Sequence, residues 1–274
     1  MMILKRVVDA MVNIETLNLE EDIDYTLACG ITIKICHIKV RDWQNVEACL
    51  DILKIYKNEI DDPEVVMMSY LEYLKRVCEN SQDISNIFET LIAITIPEAI
   101  GMSGKWEKNK GKTVYAICDA KINKETREAE HYIKWYITAK DFDDIRKIIL
   151  HQNIYDYDDT YIKPAIRKAI AKQREIESKG YSSPTLEKQK IYVMGQTGFN
   201  RETLNNMTYR EFSQLYKMKV NEAIYFARNI IKSGYSCTIE GQIIHPLFEK
   251  EKGVLDDILI DVDSFKDKVK QVNG

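Results

Sequence analysis

Apolar residues recur every three or four positions over most of this chain, the spacing of helices that lie on a core, with strand-like stretches near the start and the middle. The clearest element opens at Thr208-Tyr-Arg-Glu211, a capping box in which the threonine hydroxyl accepts from the Glu211 amide and the glutamate carboxylate accepts from the Thr208 amide. From there Phe212, Leu215, Tyr216, Val220, Ala223, Ala227 and Ile230 or Ile231 form a stripe that predicts a long helix with this face on a core. Ser233 and Gly234 supply its stop, because glycine adopts the left-handed C′ conformation at little cost.

Upstream, Tyr25 to Cys29 and then ITIKICHIKV beyond Gly30 predict a small β unit. Ile31, Ile33, Ile35 and His37 alternate with Cys36, Ile38 and Val40, and both sets are largely apolar, as in a strand covered on two sides. Helices follow. Val46, Leu50, Leu53 and Ile55 or Tyr56 share one face; Asp62 caps a second helix with Pro63 at its first position and Val66, Tyr70, Leu74 and Val77 as its stripe; Ile84, Ile87, Phe88, Leu91 and Ile92 mark a third, ending near Pro97. Residues 101–112, with three glycines and four lysines, are expected to be a mobile loop. TVYAICD and EHYIKWYIT then predict a β-hairpin, with His131, Ile133, Trp135 and Ile137 on its buried face.

A looser capping box, Thr138-Ala-Lys-Asp141, feeds a helix with Phe142, Ile145, Ile148 and Ile149 inside. An acidic, aromatic turn over 155–161 leads to a helix with Pro164 near its start, Ile162, Ile166 and Ile170 at i, i+4, i+8, and an end at Gly180. Ser183-Pro184 opens the next, and Asn200 caps a short turn through Leu204. The last forty residues predict a strand over 236–244 and a helix after Asp263 or Ser264. The fold class is therefore α+β, mainly helical: a small N-terminal β unit with helices over 1–112, then a β-hairpin and a helical bundle over 113–274.

Composition changes this picture little. At 274 residues, 45% apolar and 30% charged, the chain is an ordinary soluble globular protein long enough to bury a core. The net charge of −4 is uneven: −6 over 1–138, +5 over 139–233 and −3 over 234–274. A basic block between two acidic ones suits intramolecular pairing or head-to-tail association of copies, with solvated faces an equal alternative. The six cysteines are scattered without a C-x-x-C, and MMILKRVVDAMV is too short an apolar run for secretion or a membrane span, so a cytoplasmic protein with reduced thiols and no membrane partner is expected.

Candidate chemistry is sparse. Gly111-Lys112-Thr113 imitates the end of a phosphate-binding loop, but Trp106 stands where the first glycine belongs and a strand follows in place of a helix. His37, His131, His151 and His245 lack a partner at i+3 or i+4, so there is no zinc signature, and Asp156, Asp158 and Asp159 lack the spacing of a calcium loop. His151 falls at a helix C-terminus, where its charged form suits the dipole. No G-x-S-x-G and no cysteine close to a histidine on one face offers a nucleophile, so no catalytic residue, cofactor or metal is assigned and an enzyme is disfavoured. Short helices over 186–194 and 201–205, joined through Gly195 and Gly198, imitate a helix-turn-helix in which Arg201, Asn205 and Asn206 would face DNA, although Glu187, Glu202 and Glu211 interleave the positive charge.

The run from Ala139 to Lys250 resembles, as a whole, the tail and baseplate assembly proteins of tailed bacteriophages, a group related to tail-assembly chaperones and baseplate-hub assembly factors. The most specific residues are Asn206-Met207-Thr208 followed by Phe212, and Ile224-Tyr225 followed by Ser233-Gly234. The resemblance covers about 40% of the chain; here the sequence continues some twenty residues beyond the point where a typical member closes. It implies a non-enzymatic assembly factor or structural component in the infected bacterial cytoplasm or the virion tail. Its partners would be other tail proteins such as the tape measure or the hub. The surfaces expected to dock them are the exposed face of the Thr208 helix, with Arg210, Gln214 and Lys217, and the 101–112 loop, with Lys105 and Trp106.

Overall fold

The computed structural model describes residues 17–57, 60, 62–122, 129–158, 164–177 and 184–234. It is an α+β fold, mainly helical, with two small antiparallel sheets. The chain forms two compact units, one of residues 1–157 and 201–213, the other of 158–200 and 214–274.

In the first unit, β1 (Ile23–Thr26) pairs antiparallel with β2 (Thr32–Ile35), and Gly30, at φ +86, lets the chain reverse between them. β2 is shorter than its apolar run and is covered on one face only: Ile33 and Ile35 are buried, Thr32 and Lys34 exposed. Past Ile35 the backbone leaves the ladder. The Cys36 amide donates to the Thr95 carbonyl (2.7 Å) and the Ile38 amide to the Asn153 side chain (2.7 Å), while Ile38 and Val40 stay buried.

α1 (Trp43–Lys54) buries Val46, Leu50 and Leu53 as expected, together with Trp43 and Cys49. The single helix expected after Asp62 is two. Asp62 caps the five-residue α2 (Pro63–Met67), and Ser69-Tyr-Leu-Glu72 forms a full capping box that starts α3 (Tyr70–Asn80). This break moves the buried line to Val65, Leu71, Leu74 and Cys78 and leaves Val66 exposed. α4 (Gln82–Thr95), capped by Ser81, buries Phe88, Leu91 and Ile92 before a 3-10 turn at Pro97–Ala99.

Residues 101–112 are not a loop. Ser103–Asn109 is β3, paired with β4 (Lys112–Ile122) from Ser103 opposite Cys118 to Asn109 opposite Lys112. Lys110 (φ 49) and Gly111 (φ 78) form the two-residue turn, with both φ values positive as a type I′ hairpin requires. Of the lysines that suggested a mobile segment, Lys105 and Lys108 belong to this edge strand, where charge discourages further pairing, Lys110 to the turn and Lys112 to β4. Position 112/113, taken above as a domain boundary, falls inside this hairpin.

β5 (Ala129–Ile137) completes the β3-β4-β5 sheet as the expected hairpin partner of β4. Its register shifts at Ile117/Cys118: Ile117 faces Trp135 and Cys118 faces Ile133, so Lys134 is the extra residue of a bulge. The bulge breaks the period of two. Trp135 and Ile137 are buried, whereas His131 and Ile133 are exposed, contrary to a single buried face.

α5 (Ala139–Asn153) starts at the Thr138–Asp141 capping box and buries Phe142, Ile145, Ile148 and Ile149. Phe142 meets Phe88 edge-on (6.1 Å), and Phe88 in turn meets Tyr115 (4.9 Å) and Trp106 (6.0 Å), so one aromatic cluster ties α4, α5 and the sheet together. α8 (Arg201–Asn206), with Leu204 buried, also belongs to this unit.

The second unit holds α6 (Pro164–Glu177), α7 (Leu186–Thr197) and most of α9 (Tyr209–Gly234). α7 is capped by Thr185, not Ser183-Pro184, and ends at Gly198 in the left-handed conformation. Ile170 is buried and Ile166 exposed. Ile162, Gly180, Ser183 and the elements expected after residue 234 lie outside the described residues.

A Cβ built on Gly104 would overlap the Tyr115 ring and hydroxyl, which lie across the strand from it. Gly104→Ala is therefore expected to cost about 1–3 kcal/mol through displacement of Tyr115 from the aromatic cluster. Denaturant unfolding measures the cost, and near-ultraviolet circular dichroism checks the loss of aromatic packing.

Candidate functional site

α5 carries buried polar side chains that a core helix must pair. Asp141 accepts from the Ala28 amide (2.9 Å), and the Tyr25 hydroxyl is shared between Asp141 (3.3 Å) and Asp144 (3.1 Å). Gln152 donates to the Glu21 (3.0 Å) and Ile35 (3.4 Å) carbonyls; Asn153 accepts from the Ile38 amide and donates to the Ile149 carbonyl (2.8 Å). Arg146 donates to the Leu53 carbonyl (2.7 Å) and lies 3.8 Å from the Tyr70 ring centroid, with the Lys57 ammonium 4.7 Å from the same ring. Burial holds the Lys57 ammonium below its ordinary pKa and the Asp143 carboxyl above its own.

The segment held by Asn153 receives the start of α9. The Val40 amide donates to the Met207 carbonyl (3.0 Å), the Tyr209 amide to the Ile38 carbonyl (2.8 Å), and Lys39 bridges Thr208. Tyr209 stacks on Trp43 with ring planes 5° apart, and burial pushes its hydroxyl up to about 12. The Thr208–Glu211 capping box forms as expected, with Thr208 amide to Glu211 carboxylate at 3.0 Å and the return bond at 3.2 Å.

Titratable side chains gather around Asp22. Burial alone would raise this carboxyl, but hydrogen bonds with the His37 ring (3.3 Å), the Cys36 thiol and the His37 amide (3.3 Å) outweigh it, and the carboxyl sits below its usual range. Burial and the Asp22 charge push the Cys36 thiol up to about 12, and the second His37 ring nitrogen lies 2.8 Å from the Leu19 carbonyl. The Cys-His-Asp trio therefore offers neither a thiolate nor an unengaged base. Among the described residues no group of three or more His, Cys, Asp and Glu is placed to hold a metal.

Two surfaces stand out among the described residues. A shallow groove of about 590 Å³ between α2 and α3 is lined by Glu64, Met67, Met68, Lys75, Arg76 and Glu79. Its cations already pair, Lys75 with Glu79 and Arg76 with Asp62 and Glu64, so it presents mixed charge around the exposed Met67. The second surface is the outer half of α9. Phe212 is buried and Val220 half-buried, but Ala223, Ile224, Ala227, Ile230 and Ile231 are exposed, Ile230 by 64%. The stripe expected to lie on a core does so only at its start. α7 reaches α9 through the Tyr192–Tyr216 ring contact (5.9 Å) and the Tyr192 hydroxyl on the Lys219 carbonyl (3.0 Å), one turn before the exposed part begins.

The docking residues expected from sequence lie in both units. Arg210 donates to the His151 carbonyl, satisfying the end of α5, and lies 5.6 Å from the Tyr155 ring. Trp106 is half-buried in the aromatic cluster, and Lys105 is exposed on β3, 2.7 Å from Glu107. Gln214 is half-buried and Lys217 exposed on α9. The isoleucines of α9 were missed because their spacing was assigned to the core.

No family model, curated protein or solved structure matches this chain. Among the described residues no helix is long and apolar enough to cross a membrane.

Thr208→Ala removes the cap that seats α9 and is expected to cost about 1 kcal/mol, read as a lower urea midpoint. Asp22 gives a pH signature. Because its folded pKa is depressed, its contribution to stability is complete above the unfolded value of about 3.9 and is lost as pH falls through the lower folded value. Asp22→Asn should lower the unfolding midpoint at pH 7, with the gap to the unmodified chain closing toward pH 2.

Proposed function

We propose that this chain is a non-enzymatic tail or baseplate assembly protein of a tailed bacteriophage, working through contact with other tail proteins such as the tape measure or the hub. Its place is the cytoplasm of the infected bacterium, and the virion tail if it remains in the particle. The observation that carries the reading is the exposed apolar stripe of α9, from Ala223 to Ile231, which lies within the run that resembles those proteins. A contiguous apolar surface on a helix suits a protein partner. The neutralised groove and the raised Cys36 thiol support contact over covalent chemistry.

A nucleic-acid-binding role finds less support. α8 has six residues, Asn206 accepts from the Arg41 guanidinium (3.2 Å), and the Asn205 carbonyl accepts from the Arg41 amide. Reading a major groove needs such side chains turned outward on a recognition helix.

The experiment is co-purification of tagged chain with the tail proteins of its phage. Recovery should fall at least tenfold with the pair Ile224→Asp and Ile230→Asp and stay unchanged with Lys105→Ala. Equal recovery by all forms refutes the reading, and retention on duplex DNA that collapses with added salt would replace it with the alternative.

A further inference from the structure

β3 is an edge strand: the sheet runs β3-β4-β5, and among the described residues no strand pairs with the outer side of Ser103–Asn109. The two-residue turn at Lys110-Gly111 makes Asn109 and Lys112 the closing hydrogen-bonded pair of the hairpin. Antiparallel alternation then turns the amides and carbonyls of Ser103, Lys105, Glu107 and Asn109 toward β4, and those of Gly104, Trp106 and Lys108 outward. Such a row is a template for another strand.

Charge decides which strand fits. Lys105 and Glu107 share the sheet face opposite to that of Trp106 and lie 2.7 Å apart, with side chains 67% and 36% exposed. An antiparallel copy of β3, related by a two-fold axis at Trp106, sets Lys105 opposite Glu107, Gly104 opposite Lys108 and Ser103 opposite Asn109, each of them twice. Shifting the axis by one residue either way pairs five of the seven residues and sets Lys105 or Glu107 against its own copy. The lysines that deter other pairings thus leave one full-length register, in which each charge meets its opposite or a glycine.

We propose that two copies of this chain associate through β3, which pairs antiparallel with itself about an axis at Trp106 and joins two three-stranded sheets into one of six. The Trp106 amides and carbonyls bond each other across the axis, and those of Gly104 bond those of Lys108. On one face Lys105 and Glu107 of both copies alternate in a ring of four charges, since facing residues of a non-hydrogen-bonded pair lie about 4.5 Å apart at Cα. On the other face the half-buried Trp106 meets its own copy, which extends the aromatic cluster of Phe88 and Tyr115 across the axis. A seven-residue strand pair is a small interface, of the kind that forms transiently at micromolar concentration. The pairing uses β3 alone, so it holds or fails separately from the assembly role.

The test is sedimentation velocity of the full chain from about 1 to about 100 μM, on the unmodified protein, Lys105→Glu and Glu107→Lys. The unmodified chain should shift from monomer to dimer over this range. Each variant should dimerise at least about tenfold more weakly, because like charges then face each other. Mixing the two variants in equal amounts should restore the dimer, since each glutamate at 105 and 107 of one then faces a lysine of the other. A folding defect would persist in the mixture, so restoration separates the interface from the fold. A monomer at every concentration, variants that dimerise like the unmodified chain, or a mixture that stays monomeric each overturns the proposal.

Discussion

The first unit depends on one constraint: α5 is buried yet carries Asp141, Asp144, Arg146, Gln152 and Asn153, and each of these side chains places at least one polar atom on a partner inside the protein, although Arg146 Nε and Gln152 Oε1 have none among the described residues. The pairing solves a second problem at the same time. β1, β2 and the chain up to Val40 form too small a sheet to stand alone, since a two-stranded hairpin is at best marginal in water. α5 supplies what the ladder lacks, because its side chains take the Ala28 and Ile38 amides and the Glu21 and Ile35 carbonyls. Substituting any of these side chains by an apolar one leaves a buried backbone group unsatisfied, which costs more than the bond itself contributes. The stretch just past Asn153's partner then offers its own amides and carbonyls to residues 205–209, so the anchoring of α9 is a consequence of where α5 holds Ile38.

Local signals in the sequence were legible where the interacting residues lie within one turn of each other. The capping boxes at Thr138 and Thr208, the Asp62-Pro63 helix start and the core faces of α1, α4 and α5 all follow from spacings of three or four residues. The long-range polar contacts of α5 follow no such rule, since their partners are 93 to 131 residues away and a polar residue on a helix is ordinarily exposed. β3 was hidden for a different reason. Its edge position calls for lysine and glycine, the composition of a loop, and only the two-residue turn at Lys110-Gly111 betrays the hairpin. The Lys134 bulge was equally invisible, because an inserted residue leaves the alternation intact on paper while turning His131 and Ile133 outward.

The candidate surface was legible in its residues and misassigned in its role. A period of 3.6 establishes that a helix has an apolar face and says nothing of what covers it. The first turn of α9 finds a core for Phe212; the same face three turns on has none among the described residues. Charge was read as a docking signal at Arg210, whose guanidinium also satisfies the last turn of α5. Long cationic side chains near a helix C-terminus find carbonyls readily, so a positive residue beside such an end is a weak indicator of an external partner.

The uneven charge of the chain acquires meaning in this light. A basic helix whose apolar face no described residue covers is adhesive toward acidic amphipathic partners, the kind of surface that marks an interaction site.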